Sequence, residues 1–126
     1  MTNETVFDLN FCMDAQGIAG QRIFLEGPWY QPLEITGTML FGRDAELPAE
    51  VRLSLETTYD NVSRRHAEFR YEQGEVWVVD LGSSNGTFVN EVQLVPNKPV
   101  RLVNGAKLRF AADLVLTLRI DASASS

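Results

Sequence analysis

The chain has 126 residues, enough for one domain around one core. Its 44% hydrophobic and 22% charged content is ordinary for a soluble globular protein, and its net charge of −6 disfavours a nucleic-acid partner, which calls for a basic face. No apolar run approaches a membrane span, and the acidic start MTNETVFDLN lacks the basic residues and long apolar run of a signal peptide. A cytoplasmic protein, or a cytoplasmic module of a larger one, without membrane insertion is expected.

Residues 1–20 carry a short apolar run, Val6–Met13, broken further on by Gly17 and Gly20. They read as a partly flexible N-terminal extension. Cys12 is the only cysteine, so no internal disulfide forms, and without a Cys/His cluster no zinc site is expected. A half-buried small side chain is its simplest role.

Short strands are predicted at Ile23–Glu26, Leu33–Ile35 and Thr38–Phe41, and Trp29 and Tyr30 beside Pro28 read as a packed loop. Asp44–Val51 (DAELPAEV) has room for a helical turn, but Pro48 interrupts it, and no segment carries a convincing helical stripe. From His66 to Tyr71 the residues alternate, with Ala67, Phe69 and Tyr71 facing one way. Glu75–Asp80 is rich in Val and Trp, and a short Gly-containing loop, Glu72, Gln73 and Gly74, joins the two runs as a hairpin. Phe69, Trp77 and Phe88 read as core. Leu102-Val103 lead into an Asn104-Gly105 turn, then Leu108 and Phe110 alternate with Lys107 and Arg109. Leu114, Leu116, Leu118 and Ile120 sit at period two, as in a half-buried strand.

Many short strands with regular turns predict an all-β, two-sheet antiparallel sandwich. The domain is expected at 21–120, with 121–126 as a disordered tail.

The chemistry sits in three separate stretches. Nine of the eleven cationic residues are Arg, the better residue for two-pronged contacts to phosphate; only Lys98 and Lys107 are Lys. Arg43 follows Gly42 at a strand end, where its guanidinium can bond two phosphate oxygens. Ser63 offers a hydroxyl and Arg64 a second guanidinium or a backbone N–H. Arg65 reads as a solvated charge, since adjacent residues of a strand face opposite ways. Asn85, in SSNGT, presents an amide N–H and a carbonyl that together can clamp a peptide main chain. Gly86 permits the positive φ of a tight turn, and Thr87 can tie that turn to the sheet. Ser63, His66 and Asp80 do not form a convincing triad, because no nucleophile elbow surrounds the serine. No catalytic residue, metal or cofactor is expected.

The blocks Gly42-Arg43, Ser63-Arg64-Arg65-His66, Asp80–Thr87 (DLGSSNGT) and Val89-Asn90 occur in the order and about the spacing of the forkhead-associated (FHA) family, which this chain resembles over roughly residues 21–120. The resemblance implies a sandwich with its binding loops at one end and a role in recognising phosphothreonine peptides in Ser/Thr-kinase signalling. A small pocket for the threonine methyl comes with it, so phosphoserine binds worse. Residue by residue, it implies phosphate contacts from Arg43, Ser63 and Arg64, a main-chain hold from Asn85 with support from Ser84, and an architectural role for His66. Gly42, Gly82 and Gly86 become backbone-shape residues. The long insert between Arg43 and Ser63 departs from the family; it is expected to reshape the specificity loop, with Arg52, Tyr59 and Asn61 as candidates. Glu91 and Ala106 also depart from the pattern, at turns. The competing reading is a phosphate-independent scaffold or oligomerisation domain. A kinase target at Thr2 or Thr5 in the acidic N-terminus would allow self-association.

Overall fold

A computed structural model describes residues 21–122. The expectations for the extension, Cys12, Thr2 and Thr5, and for residues 123–126, lie outside these residues. Ten strands and one helix follow in the order β1 (Gln21–Glu26), β2 (Leu33–Ile35), β3 (Thr38–Phe41), α1 (Ala49–Thr57), β4 (Ala67–Glu72), β5 (Glu75–Asp80), β6 (Thr87–Val89), β7 (Val92–Gln93), β8 (Val100–Leu102), β9 (Lys107–Phe110) and β10 (Leu114–Ala122). They form a six-stranded sheet, β2-β1-β10-β9-β6-β7, and a four-stranded sheet, β3-β4-β5-β8, in which the strand pairs are antiparallel.

Period-two alternation is what lets each sheet hide one face. Ile23 and Leu25 of β1 and Leu114, Leu116 and Leu118 of β10 point inward from one sheet, and Phe69, Val76 and Val78 from the other. The layers meet at aromatic rings. Phe110 lies 4.7 Å from Phe41 and 6.2 Å from Phe69, and Phe41 meets Phe69 edge-on at 6.3 Å. Such pairs contribute about 0.5–1.5 kcal/mol each beyond their area burial.

Several expectations are corrected. A helix does form, α1, and it starts immediately after Pro48 rather than being broken by it. Proline has no N–H to donate, and at a helix start none is needed. Val51 and Leu55, one turn apart, are buried and hold the helix against the core. The last strand runs past the domain end expected at 120, because β10 continues through Asp121 and Ala122, opposite Arg22 and Gln21. Of the Trp29-Tyr30 pair only Trp29 packs; Tyr30 is 86% exposed. Trp77 is half-buried on the outer face of its sheet between Arg70 and Arg101, since its neighbours Val76 and Val78 take the inward positions. Phe88 is half-buried beneath the Arg109 guanidinium, 4.0 Å from the ring centre.

The turns account for two departures from the family pattern. Asn90 and Glu91 take φ of 49° and 67° in the two-residue turn joining β6 to β7. Glu91 tolerates this left-handed geometry while its carboxylate pairs with Arg109 at 3.0 Å. Ala106 is buried after the Asn104-Gly105 turn, where its N–H donates to the Val103 carbonyl.

Strand register puts the loops of interest at one end. Phe41, Ala67 and Asp80 stand in one row across β3, β4 and β5. The residues just past that row are Gly42, His66 and Leu81. They continue the ladder, with His66 N–H donating to the Phe41 carbonyl and Leu81 N–H to the His66 carbonyl, both at 3.0 Å. From Leu81 the chain crosses to the other sheet and enters β6 at Thr87.

Candidate functional site

Three loops, 42–48, 58–66 and 81–86, meet at this end, and backbone bonds lock the first two together. Arg43 N–H donates to the Ser63 carbonyl at 3.1 Å and Asp44 N–H to the Arg64 carbonyl at 2.9 Å. Their closeness depends on Gly42, whose φ is 154°. A Cβ there would collide with the Arg64 carbonyl oxygen and come within 2.7 Å of that of Ser63. Both are backbone atoms, so neither can swing aside. Gly42→Ala is therefore expected to cost about 2–4 kcal/mol through overpacking and backbone strain. It should weaken ligand binding as well, because Arg43 and Ser63 move apart. A thermal melt and a binding titration on the same protein check both effects; an unchanged melting temperature would contradict them.

The side chains then arrange themselves on this frame. Arg43 is half-buried, and its Nε donates to the Val62 carbonyl at 2.6 Å, which aims the guanidinium. It makes no ion pair among the described residues. Ser63 Oγ accepts a bond from the Ser84 backbone N–H at 3.0 Å, so its own proton is free to be donated outward. Ser84 thus orients Ser63 through its main chain. Asn85 is exposed, and its Nδ2 donates to the Asn61 carbonyl at 2.8 Å. Its Oδ1 and second amide hydrogen remain for a ligand.

His66 is fully buried. Its Nδ1 accepts from the Ser63 backbone N–H at 2.9 Å, and its Nε2 donates to the Gly86 carbonyl at 2.9 Å. An accepting Nδ1 and a donating Nε2 define the neutral tautomer. Burial lowers the His66 pKa below its ordinary value, against the Gly86 bond and the Asp80 charge. The ring stacks edge-on against Phe110 at 5.4 Å. Both ring nitrogens are committed to backbone groups, so neither is left for the Ser63 hydroxyl. His66 pins the Ser63 loop to the Asn85 loop.

The third loop hangs from Asp80, a residue whose part the sequence reading missed. This buried carboxylate accepts the Gly82 and Ser83 backbone N–H groups at 3.0 and 3.2 Å, and the Ser83 and Thr87 hydroxyls at 2.6 Å each. Ser83 Oγ in turn accepts the Gly86 N–H at 3.1 Å. Burial works to raise the Asp80 pKa, but the bonds from Ser83, Thr87 and Gly82 outweigh it and hold the carboxyl below the usual carboxylate range. An Asp followed by Gly and Ser two and three residues on is the signal that could have revealed it, since such carboxylates bond their own backbone ahead. Gly82 and Gly86, with φ of 80° and 91°, shape this loop, and Thr87 ties it to the sheet through Asp80.

The specificity candidates separate. Asn61 joins the site by its carbonyl bond to Asn85. Tyr59 packs against the core, and Arg52 is exposed on α1. Arg64 and Arg65 are both exposed and form a turn rather than part of a strand. Strand alternation therefore does not force Arg65 away from the site.

The sequence model of the FHA domain matches residues 39–111, more than half of the chain. This chain belongs to the FHA domain family. The glycogen accumulation regulator GarA of Mycolicibacterium smegmatis is 76% identical over 49 residues, which cover 39% of this chain and 29% of GarA. The protein phosphatase 1 regulatory inhibitor subunit PPP1R8 homolog of Arabidopsis thaliana is 46% identical over 55 residues, covering 43% of this chain and 15% of that one. These relatives are regulatory or inhibitory proteins by name, and the matches take in less than a third of their length. Among solved structures, the FhaA FHA domain complexed with the intracellular domain of Rv3910 superposes with a TM-score of 0.60 at 26% identity, covering 77% of this chain and 99% of that domain. A domain solved for its phosphothreonine-dependent FHA interactions gives 0.61 at 26% identity, covering 78% of this chain and 95% of that one. Among the described residues of this FHA domain, no helix is long and apolar enough to cross a membrane.

Proposed function

We propose that this FHA domain is a phosphothreonine-dependent interaction module whose phosphate site is built from Arg43, Ser63 and Arg64, with Asn85 holding the peptide main chain. The observation that carries this reading is the pairing of Arg43 with the Ser63 segment. Val62 aims the guanidinium, Ser84 aims the serine hydroxyl, and two backbone bonds hold the segments side by side. A phosphate brings about −1.5 to −2 charges and three acceptor oxygens, which suit a guanidinium fork and a hydroxyl donor. A plain threonine offers neither charge nor the extra acceptors. Solved FHA domains of similar fold and sequence, one described by its phosphothreonine-dependent interactions, support the same reading.

On this reading the chain is a binding module rather than an enzyme. Its partners are phosphothreonine proteins of a Ser/Thr-kinase pathway in the cytoplasm. Calorimetry with one peptide in phosphorylated and plain form tests it. Binding of the phosphorylated form alone is expected; equal affinity for both would favour the phosphate-independent scaffold.

A further inference from the structure

The arginines divide into two groups by place and by pairing. Arg22 on β1, Arg70 on β4, Arg101 on β8, Arg109 on β9 and Arg119 on β10 all stand on strands, and each lies 2.8–3.6 Å from a carboxylate. The other four, Arg43, Arg52, Arg64 and Arg65, lie on the loops of the binding end and on the helix between them. None of these pairs with a carboxylate among the described residues. Asp44 and Asp60 sit on the same loops but form no ion pair with them. In a chain of net charge −6, the strand arginines are thus paired, whereas among the described residues those of the loops and helix are not.

One phosphate is answered by Arg43, Ser63 and Arg64. Arg65 is surplus to it, yet it is exposed in the same turn, and the Arg64 carbonyl ties that turn to Asp44 beside Arg43. We infer that the ligand of this site carries a second anionic group close to the phosphothreonine, held by Arg65. The inference rests on the phosphothreonine reading above. The group is a carboxylate of a neighbouring acidic residue or a second phosphate. An extended peptide advances about 3.3 Å per residue and adjacent Cα atoms of the protein lie about 3.8 Å apart, so one turn can serve groups one or two residues from the phosphothreonine.

The test uses the full chain and four peptides of one sequence: phosphothreonine with neutral flanks, phosphothreonine with glutamates on both sides, two nearby phosphothreonines, and the glutamate-flanked peptide without phosphate. At low salt, either doubly anionic phosphopeptide is expected to bind about three- to tenfold tighter than the neutral-flanked one, a gap that narrows as salt rises. Arg65→Gln should remove the gap and leave the neutral-flanked affinity unchanged. A preference for glutamate flanks identifies a carboxylate as the second group, and one for the double phosphopeptide identifies a phosphate. Equal affinities for neutral and doubly anionic phosphopeptides, or a gap that survives Arg65→Gln, would overturn the inference alone. Failure of every phosphopeptide to bind, or equal binding of the unphosphorylated glutamate peptide, would instead overturn the phosphothreonine reading beneath it.

Discussion

Arg43→Ala is expected to abolish measurable phosphopeptide binding while leaving the domain folded. In the proposed site the guanidinium would supply the paired, charge-assisted bonds to phosphate, and its removal would leave a desolvated anion without its main partner. Loss of such a pair costs on the order of 2–5 kcal/mol, or about 30-fold to several thousandfold in affinity. The effect on folding is small by comparison. Among the described residues, Arg43 makes one side-chain bond, to the Val62 carbonyl, worth about 1 kcal/mol net. Arg43→Lys keeps the charge but not the planar fork, so it should fall between the two. Calorimetry and a thermal melt on the same samples decide the matter. Retained affinity in the alanine variant would remove Arg43 from the phosphate site.

Asp80→Ala is expected to give the largest loss of stability, about 3–5 kcal/mol. The carboxylate is 2% exposed and accepts four hydrogen bonds, so its loss strands two N–H groups and two hydroxyls without partners. For a domain of this size the melting temperature should fall by at least about 10 °C. Asp80→Asn should also destabilise, since one amide oxygen cannot accept all four donors and its N–H₂ faces two of them. The charge leaves a pH signature. The folded-state pKa of Asp80 is depressed, so its contribution is fully present above the unfolded carboxyl pKa, near 4. That contribution is lost as pH falls further, through the folded value. A stability-against-pH series should therefore show an acid limb that is shallower in Asp80→Asn. Identical limbs would contradict the assignment. Ligand affinity should fall in both variants, because the loop bearing Ser84 and Asn85 hangs from this carboxylate.

The candidate binding residues stand out in the sequence because their types are uncommon in combination. An Arg after Gly at a strand end, a Ser three residues before a lone His, and an Asn-Gly turn together point to one kind of anion site. Strands such as Leu33–Ile35, Thr38–Phe41 and Glu75–Asp80 were equally plain, since alternation and flanking turns fix their limits. β6 and β7, with three and two residues, are too short to show any period. In the sequence a helical turn at Asp44–Val51 is discounted because Pro48 looks like a breaker, whereas it stands at the cap of α1.

Residue types and their spacing were sufficient for the family and the sandwich, and they single out Arg43, Ser63 and Asn85 as candidates for the site. Three features came from the folded chain alone. The Val62 carbonyl aims Arg43, Asp80 carries the Asn85 loop, and the Arg64-Arg65 turn leaves both cations at the binding end. The reason is physical. A side chain's chemistry is written in its residue type, whereas the direction of a backbone carbonyl and the absence of a neighbouring carboxylate depend on how distant strands align. Here that alignment is the single row of Phe41, Ala67 and Asp80, which brings three loops far apart in the chain to one end of the sheet.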